Sequence, residues 1–298
     1  MQLALFEKQA RPDAHVVSQI APFKTQLLKW IGNKQRFAYE IANYLPTSFG
    51  TYFEPFVGSG AVLATLAPRK AVASDTLLPL IEIWQTLSAT PDLLTTWYAD
   101  RYALFVSGER VAMYEQIKAS YNAQPNGADL LFLSRSCYGG VVRFRQADGY
   151  MSTPVGIHDP VSPDSFRKRV DLWHARTRYA QFLHSDFEPI MEAAQTGDVI
   201  YCDPPYSHSQ AIIYGAQGFS LPRLLRAIAR CKERGVSVAL SIDGTKRSGG
   251  TLCDIPIPDG LFEHEVAINC GRSMLRRFQL GGETLEGEVV KDRLLLTY

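Results

Sequence analysis

The sequence lacks the features that mark membrane-spanning or secreted proteins. No apolar run among its 298 residues approaches the roughly 18 consecutive apolar residues that a membrane-spanning helix needs. The N-terminus carries Glu7, Lys8, Arg11 and Asp13, so it does not follow the order of regions in a signal peptide. We therefore expect a cytoplasmic protein without a membrane partner, beginning with a polar extension over residues 1–22.

Cysteine is sparse and dispersed, which argues against two common structural frameworks. The five cysteines stand singly, without a CxxC pair or a histidine at zinc-binding spacing. This usage is typical of reduced cytoplasmic thiols rather than of a disulfide or zinc framework, so no metal is expected. The net charge of +1 leaves nucleic acid open as a partner, because a local basic face is sufficient to bind it.

The most informative stretch is a short apolar run that ends in an acid. Residues 199–202 (VIYC) follow a Gly-Asp turn signal and are typical of a buried strand in a parallel sheet. The letters DPPY follow at 203–206, at the strand end where open α/β sheets bind ligands. Two prolines stiffen this backbone. The Asp203 carboxylate, the Pro204 carbonyl and the Tyr206 ring are therefore expected to hold a planar amine; a plain Asp-Pro turn is the alternative.

Two earlier strand ends carry residues suited to a nucleoside-containing cofactor. Residues 51–60 (TYFEPFVGSG) indicate a strand, a tight loop and a helix start, with Gly58 and Gly60 permitting close approach of a ligand. A dinucleotide fingerprint would need a third glycine where this chain has Leu63, so the loop is not built for a pyrophosphate. Asp75 ends the second strand, where a carboxylate accepts ribose hydroxyls; capping the next helix is its alternative role.

A segment rich in arginine and aromatic residues occupies 135–178. Within it, residues 141–153 predict a β-hairpin that turns at an Asp-Gly pair. The period of two places Val141, Arg143 and Arg145 on one face. A two-stranded ribbon can enter the DNA major groove, where arginine reads guanine. A solvated basic hairpin is the alternative for this segment taken alone.

Three stretches stand in an order that resembles a known family. They are KWIGNK at 29–34, EPFVGSG at 54–60 and DPPY at 203–206. This order resembles the Dam-type (alpha group, D12 class) DNA adenine-N6 methyltransferases, which use S-adenosylmethionine. The resemblance covers nearly all of 24–298. It implies an α/β fold, a Rossmann-like S-adenosylmethionine-dependent methyltransferase sheet with an inserted, mainly helical target-recognition domain that carries a β-hairpin.

The resemblance also implies a domain organisation and a set of site residues. The catalytic domain is expected over 23–90 and 180–298, and the target-recognition domain, which binds double-stranded DNA, over 91–179. The catalytic residues implied are Asp203, Pro204 and Tyr206. Three residues are implied for separate parts of S-adenosylmethionine: Asp75 for the ribose, Asp186 for the adenine amine and Phe187 against the adenine ring. The other residues implied for this cofactor are Trp30, Lys34, Glu54, Phe56, Gly58 and Gly60. Those implied for DNA are Lys34, Tyr138, Val141, Arg143, Arg145 and Pro154.

Several alternatives stay open from the sequence. The DPPY chemistry serves any planar exocyclic amine, so cytosine N4 in DNA and adenine in RNA are alternative acceptors. A DNA-binding module without turnover and a nicotinamide-dependent oxidoreductase are less favoured readings. The family usually has asparagine where this chain has Gly139, and the hairpin is one residue longer, so the recognised DNA site is not defined. A companion restriction endonuclease is a further potential partner.

Overall fold

The computed structural model describes residues 20–145, 147–205, 219–243, 245–246, 251–252, 257–272 and 289–298. The predicted catalytic residue Tyr206 lies outside these residues, and so does the predicted N-terminal extension up to residue 19. Every helix within the described ranges is too short or too polar to cross a bilayer.

A seven-stranded sheet forms the centre of the described structure. The strands, numbered in chain order, are β1 (Tyr52–Glu54), β2 (Ala71–Asp75), β3 (Ala180–His184), β4 (Val199–Cys202), β5 (Ser237–Asp243), β6 (Thr245–Lys246), β7 (Thr251–Leu252), β8 (His264–Arg272) and β9 (Val289–Leu296). The order across the sheet is β3-β2-β1-β4-β5-β9-β8, and β6 pairs with β7 separately. Strands β1 to β5 run parallel, whereas β9 is antiparallel to both of its neighbours. This mostly parallel sheet confirms the α/β fold class expected for a methyltransferase.

The helices fall into three groups along the chain. They are α1 (Ala38–Tyr44), α2 (Ala61–Leu66) and α3 (Leu78–Ala89); α4 (Pro91–Val106), α5 (Arg110–Ala123), α6 (Gly127–Ser136) and α7 (Pro163–Thr177); and α8 (Phe187–Ala193) and α9 (Leu221–Glu233). The middle group, with a short 3-10 turn at Tyr138–Gly140, lies between β2 and β3 in the chain. Residues 91–179 are therefore mainly helical, and we keep the prediction that they form a target-recognition domain.

Each strand sends alternate side chains to opposite faces of the sheet, as the period of two requires. On β1 and β4, Tyr52, Val199 and Tyr201 pack in one cluster with residues of α1 to α7, while Phe53 and Ile200 pack in another with residues of α8 and α9. Both faces are therefore covered by helices, which explains why β1 and β4 are buried along their whole length. The sheet and the inserted helices share one continuous core.

The hydrophobic pattern of residues 91–121 predicts one amphipathic helical stretch, but the structure divides it into α4 and α5. Helix α4 ends at Val106, and the Glu109 carboxylate then accepts the N–H groups of Val111 and Ala112. A side chain that satisfies the first N–H groups of a helix starts a new helix at that point. The α4–α5 boundary therefore depends on a local cap that hydrophobic periodicity does not reveal.

The predicted hairpin at 141–153 is shorter than expected. Its turn forms, with Gly149 at φ 69° and an antiparallel bridge between Phe144 and Met151, but regular strands do not extend over the segment. Val141 is buried, whereas Arg143 and Arg145 are exposed. The three residues that the period of two places on one face therefore differ in exposure, because Val141 is buried directly after the 3-10 turn.

Candidate active site

A cavity of about 320 Å³ opens at the carboxyl ends of the parallel strands. It lies between β1 and its two neighbours in the sheet, β2 and β4. The strand order reverses direction at this point, since β2 and β3 follow on one side of β1 and β4 and β5 on the other. Open α/β sheets bind ligands at such a switch point, and this volume falls in the range of about 300–1,000 Å³ for ligand pockets. The predicted residues that line it are Trp30, Lys34, Glu54, Phe56, Gly58, Asp75, Asp186, Phe187 and Asp203.

The loop between β1 and α2 is shaped by two glycines in left-handed conformation. Their φ angles are 44° at Gly58 and 62° at Gly60, a region that favours glycine over all other residues. A Cβ at Gly60 would lie 3.3 Å from the Trp84 ring, tighter than an ordinary van der Waals contact. The Trp84 indole N–H also donates to the Gly58 carbonyl at 3.1 Å. The predicted glycine loop is thus held against a tryptophan, although Gly60 lies behind the cavity wall.

The Asp75 carboxylate is fixed by backbone donors from two directions. Its Oδ2 accepts the Gly58 N–H at 3.2 Å and its Oδ1 accepts the Leu77 N–H at 3.1 Å. Burial raises the pKa of Asp75, and these hydrogen bonds oppose that shift. The N-cap of α3 is Leu77, so the alternative capping role for Asp75 is wrong. A carboxylate has about four acceptor positions, which leaves capacity on the cavity side for hydroxyl donors.

Glu54 is a buried carboxyl at the end of β1. The Tyr52 hydroxyl donates to its Oε2 at 2.6 Å. Burial, which is the largest cause, and the nearby Asp203 charge together raise the pKa of Glu54 to about 8, although the Tyr52 hydrogen bond acts in the opposite direction. Glu54 is therefore mainly protonated at neutral pH and presents a neutral hydrogen-bonding group to the cavity.

We expect Glu54→Gln to remove a pH dependence of folding stability. Because the folded-state pKa of about 8 lies above the ordinary value of 4.5, the parent protein should lose a few kcal/mol of stability as the pH rises through this interval. Urea unfolding at pH 6 and pH 9 measures the loss. The variant should be less sensitive to pH than the parent; an equal dependence in both proteins would show that Glu54 is ionised throughout.

Asp203 follows β4 and forms an ion pair with a lysine from the N-terminal segment. The Lys34 ammonium lies 2.9 Å from Asp203 Oδ1 and 3.5 Å from Asp292 Oδ2, and the Lys34 side chain is only 5% exposed. Lys34 therefore reaches the cavity beside Asp203. Its predicted contact with a DNA base would have to be made from this buried position.

The two prolines after Asp203 differ in their surroundings. Pro204 is buried, and Pro205 lines the cavity next to Asp203. Neither residue has a backbone N–H, so no main-chain donor from this pair competes with a ligand for nearby acceptors. The DPPY backbone is described as far as Pro205.

Three phenylalanines in mutual contact line one part of the cavity. The Phe56 and Phe187 rings stack with centroids 5.3 Å apart, and Phe219 meets Phe56 edge-on at 5.9 Å. Asp186 lies beside them at the start of α8, where its Oδ1 accepts the Glu188 N–H at 3.0 Å. The Arg223 guanidinium bonds both Asp186 oxygens and lies 4.6 Å from the Phe187 ring centroid. An aromatic slot with an oriented carboxylate at its edge suits a purine that carries an amino group.

The residues predicted for DNA, apart from Lys34, lie outside the cavity. Tyr138 is 38% exposed, and its N–H donates to the Pro154 carbonyl at 2.8 Å. Arg143 is exposed on the hairpin. Arg145 is held by the hairpin's own turn, with its guanidinium 2.5 Å from Asp148 Oδ2 and 4.2 Å from the Tyr150 ring centroid. The structure thus presents Tyr138, Pro154 and both arginines at the surface, but not Val141.

The 3-10 turn packs against the segment that enters the cavity. A Cβ at Gly140 would lie 2.8 Å from the Lys29 Cβ, which only a glycine avoids. Gly139 has φ 66°, so its departure from the family's usual asparagine occurs at a left-handed position, where both residue types are tolerated. The turn that leads into the predicted recognition hairpin therefore packs closely against the stretch that carries Trp30 and Lys34.

Sequence reasoning missed several residues of the site. Phe219, Thr76, Leu77 and Tyr201 line the cavity. Arg223 pairs with the Asp186 carboxylate, and Asp292 pairs with the Lys34 ammonium. Asp292 carried no signal of its own, because it stands between Lys291 and Arg293 in β9, and a run of three charged residues is ordinarily solvated. Arg223 carried none, because an arginine in the first turn of an amphipathic helix is ordinarily solvated.

Comparison with known proteins identifies a family for most of the chain. The profile of the D12 class N6 adenine-specific DNA methyltransferases matches residues 30–248. That range contains the glycine loop, Asp75, the inserted helices and the DPPY stretch, whereas the antiparallel strands β8 and β9 lie beyond it.

Individual relatives share a little over a quarter of their aligned residues with this chain. A DNA N-6-adenine-methyltransferase of Escherichia phage P1 is 28% identical over 76% of this chain, which spans 31% of that protein. The retron Ec67 DNA adenine methylase of Escherichia coli is 28% identical over 60% of this chain and 63% of its own length. The type II methyltransferase M1.LlaDCHI of Lactococcus lactis subsp. cremoris is 28% identical over 72% of this chain and 79% of its own length. The first two alignments thus cover less than two thirds of those relatives.

Proposed function

This chain belongs to the D12 class of N6 adenine-specific DNA methyltransferases, and from that membership we propose that it methylates adenine N6 at specific sites in duplex DNA. The observation that carries the proposal is that one cavity joins the glycine loop and Asp75 at one part of its wall to Asp203 at another. A donor of methyl groups and an acceptor amine can therefore meet in a single enclosed space, as group transfer requires.

The proposed cofactor is S-adenosylmethionine, and the cavity residues fit it. Gly58 lets the loop approach a ligand without a side chain between them, and Asp75 offers oriented acceptors for ribose hydroxyls. Phe56, Phe187 and Asp186 offer a slot for an adenine ring and its amine. Trp30, Lys34, Glu54 and Gly60 complete the proposed cofactor-binding set. When bound, S-adenosylmethionine supplies an activated methyl group on a sulfonium.

Asp203 and Pro204 are proposed to hold the target amine. The lone pair of adenine N6 is delocalised into the ring, so the free amine is a poor nucleophile. The Asp203 carboxylate and the Pro204 carbonyl would each accept one N–H, which moves the nitrogen toward a tetrahedral form with an available lone pair. Catalysis then consists of positioning and electrostatic stabilisation.

Tyr206 is proposed to stack on the extruded base. Taking an adenine out of the duplex costs a few kcal/mol. Stacking of a base on an aromatic ring contributes about 1–3 kcal/mol and would offset much of that cost. This role follows from the family resemblance of the DPPY stretch.

Residues 91–179 are proposed to select the DNA site. Tyr138, Arg143, Arg145 and Pro154 lie at the surface of this segment and form the proposed contact set, with Lys34 close to the flipped base. Arginines that neutralise phosphates make binding weaken steeply with salt. A companion restriction endonuclease and a cytoplasmic location remain predictions from the sequence.

We expect Arg143→Ala to relax sequence choice at one base-pair position. An arginine that reads a guanine edge contributes about 1–3 kcal/mol of discrimination there. Rates on duplexes that differ at single positions of the methylated site measure this. Arg145→Ala is the matched variant. It should change sequence choice less than Arg143→Ala does, because the Arg145 guanidinium is already paired with Asp148. If Arg143→Ala lowers the rates uniformly on all sequences, Arg143 is a phosphate contact instead.

The proposed activity is tested by mass analysis of nucleosides from treated nucleic acid. Purified protein and S-adenosylmethionine are incubated with unmethylated duplex DNA and, in parallel, with RNA. N6-methyladenine in the DNA is the expected product. N4-methylcytosine, or methylation of RNA alone, would assign another planar amine to the same site, and the absence of any methylated nucleoside would contradict the proposal.

A further inference from the structure

Asp292 lies behind the ion pair of the active site. It belongs to β9, outside the range that the family profile matches. The Lys34 ammonium, 2.9 Å from Asp203 Oδ1, lies 3.5 Å from Asp292 Oδ2 and 3.4 Å from the Gly32 carbonyl. A lysine has three N–H donors, and these three acceptors surround it. One ammonium is therefore shared between two carboxylates at the edge of the cavity.

The position of Asp292 is rigid because β9 is paired on both sides. In the sheet register, Asp292 lies opposite Asp243 of β5 and Ile268 of β8. Lysine, by contrast, has a flexible four-carbon stem and follows its partners. A fixed carboxylate at 292 therefore defines where the Lys34 ammonium sits, and the ammonium in turn defines where Asp203 Oδ1 sits.

Charge balance gives Asp292 a second effect on Asp203. A buried lysine paired with a single carboxylate would neutralise it, and a neutralised carboxylate is a weaker acceptor for an amine. Counted over these three side chains alone, two carboxylates and one ammonium carry a formal charge of −1, so Lys34 does not fully neutralise Asp203. The side chains of all three are largely buried, at 5%, 19% and 11% exposure for Lys34, Asp203 and Asp292, so water screens this balance only weakly.

We infer that Asp292 is a positioning residue for methyl transfer, which acts through Lys34 to orient Asp203 and preserve its charge. The inference rests on the proposed function of Asp203 and extends the site to the antiparallel edge of the sheet. Asp292 need not touch the substrate or the cofactor in this role.

Asp292→Asn should lower the single-turnover rate of methyl transfer by about 10- to 100-fold, a range taken by analogy from carboxylates that orient metal ligands. The KM values for S-adenosylmethionine and DNA should stay within about threefold, because neither binding surface changes. Asp292→Glu should recover part of the rate. The matched control is Arg293→Gln, which breaks the neighbouring Arg293–Glu265 ion pair at 2.7 Å, away from the cavity, and should leave the rate unchanged.

A double-mutant cycle separates this role from a purely structural one. In a Lys34→Met background, Asp292→Asn should cause no further loss of rate, because the charge that links it to Asp203 is gone. This comparison also holds if the single Asp292→Asn variant does not fold, since the double variant contains neither the Lys34 ammonium nor the Asp292 carboxylate. A further loss in that background, or a parental rate in the folded single variant, would overturn the inference.

The outcome is distinguishable from a failure of the proposed function. If the parent methylates adenine and Asp203→Ala does not, the proposed function holds whatever Asp292→Asn does. If Asp203→Ala retains the parental rate, the proposed function itself fails.

Discussion

Asp203→Ala is expected to lose methyl transfer by about 10³-fold or more while it binds both S-adenosylmethionine and DNA normally. Removing one preorganised polar group from a transition-state site costs about 10²–10³-fold, and Asp203 is proposed to supply both the hydrogen-bond acceptor and the charge. The single-turnover rate with saturating cofactor and unmethylated duplex DNA measures this loss.

The variant should fold, because Asp203→Ala does not leave Lys34 without a counter-charge. Asp292 still lies 3.5 Å from the Lys34 ammonium. A buried charge that keeps a partner avoids the large penalty of an uncompensated ion. Asp203→Asn is the conservative companion and should be nearly as impaired, since it keeps the shape but not the charge. Turnover within tenfold of the parent in either variant would show that Asp203 does not have the proposed role.

Asp75→Ala is expected to weaken S-adenosylmethionine binding by about 100-fold. Hydrogen bonds to charged groups contribute about 1.5–3 kcal/mol each, and the proposed ribose would lose a carboxylate that two backbone N–H groups hold in place. The loss also frees the Gly58 N–H, so the glycine loop becomes less ordered. Isothermal titration of the purified variant with S-adenosylmethionine measures the dissociation constant.

Asp75→Asn separates charge from loop geometry in the same experiment. Its amide oxygen can still accept the Gly58 N–H, so the loop stays in place while the negative charge is absent. We expect a smaller loss of affinity, about tenfold. A dissociation constant within threefold of the parent for Asp75→Ala would remove Asp75 from the proposed cofactor site.

The parts of the site that sequence predicts are those encoded by local patterns. The strand over 199–202 and the second strand ending at Asp75 are observed as predicted, and the helix predicted after the glycine loop begins at Ala61. Strand ends in a parallel sheet converge on one edge, so an acid at each end predicts a common cavity. The glycine pattern predicts the tight loop because few residue types other than glycine adopt a left-handed backbone conformation.

The parts that sequence does not predict depend on contacts between distant segments. Lys34 and Asp292 are 258 positions apart in the numbering yet share one ion cluster. Arg223 of α9 reaches Asp186 at the start of α8, and Phe219 lines the cavity from the segment before α9. Val141 illustrates a different limit, since its alternation with Arg143 indicates a shared face but tertiary packing buries it. Hydrophobic periodicity and secondary-structure propensity describe local geometry, whereas these contacts depend on which helix and strand faces pack against each other in the folded chain.

The central claim is that Asp203 and Pro204 hold the amine of a flipped adenine inside the cavity that also binds the cofactor. The most direct measurement is a crystal structure of the protein with S-adenosylhomocysteine and a duplex that contains its methylation site. The account predicts adenine N6 within hydrogen-bond distance of both the Asp203 carboxylate and the Pro204 carbonyl, with the cofactor ribose on Asp75. A target base bound elsewhere, or a cofactor away from Asp75 and Gly58, would contradict it.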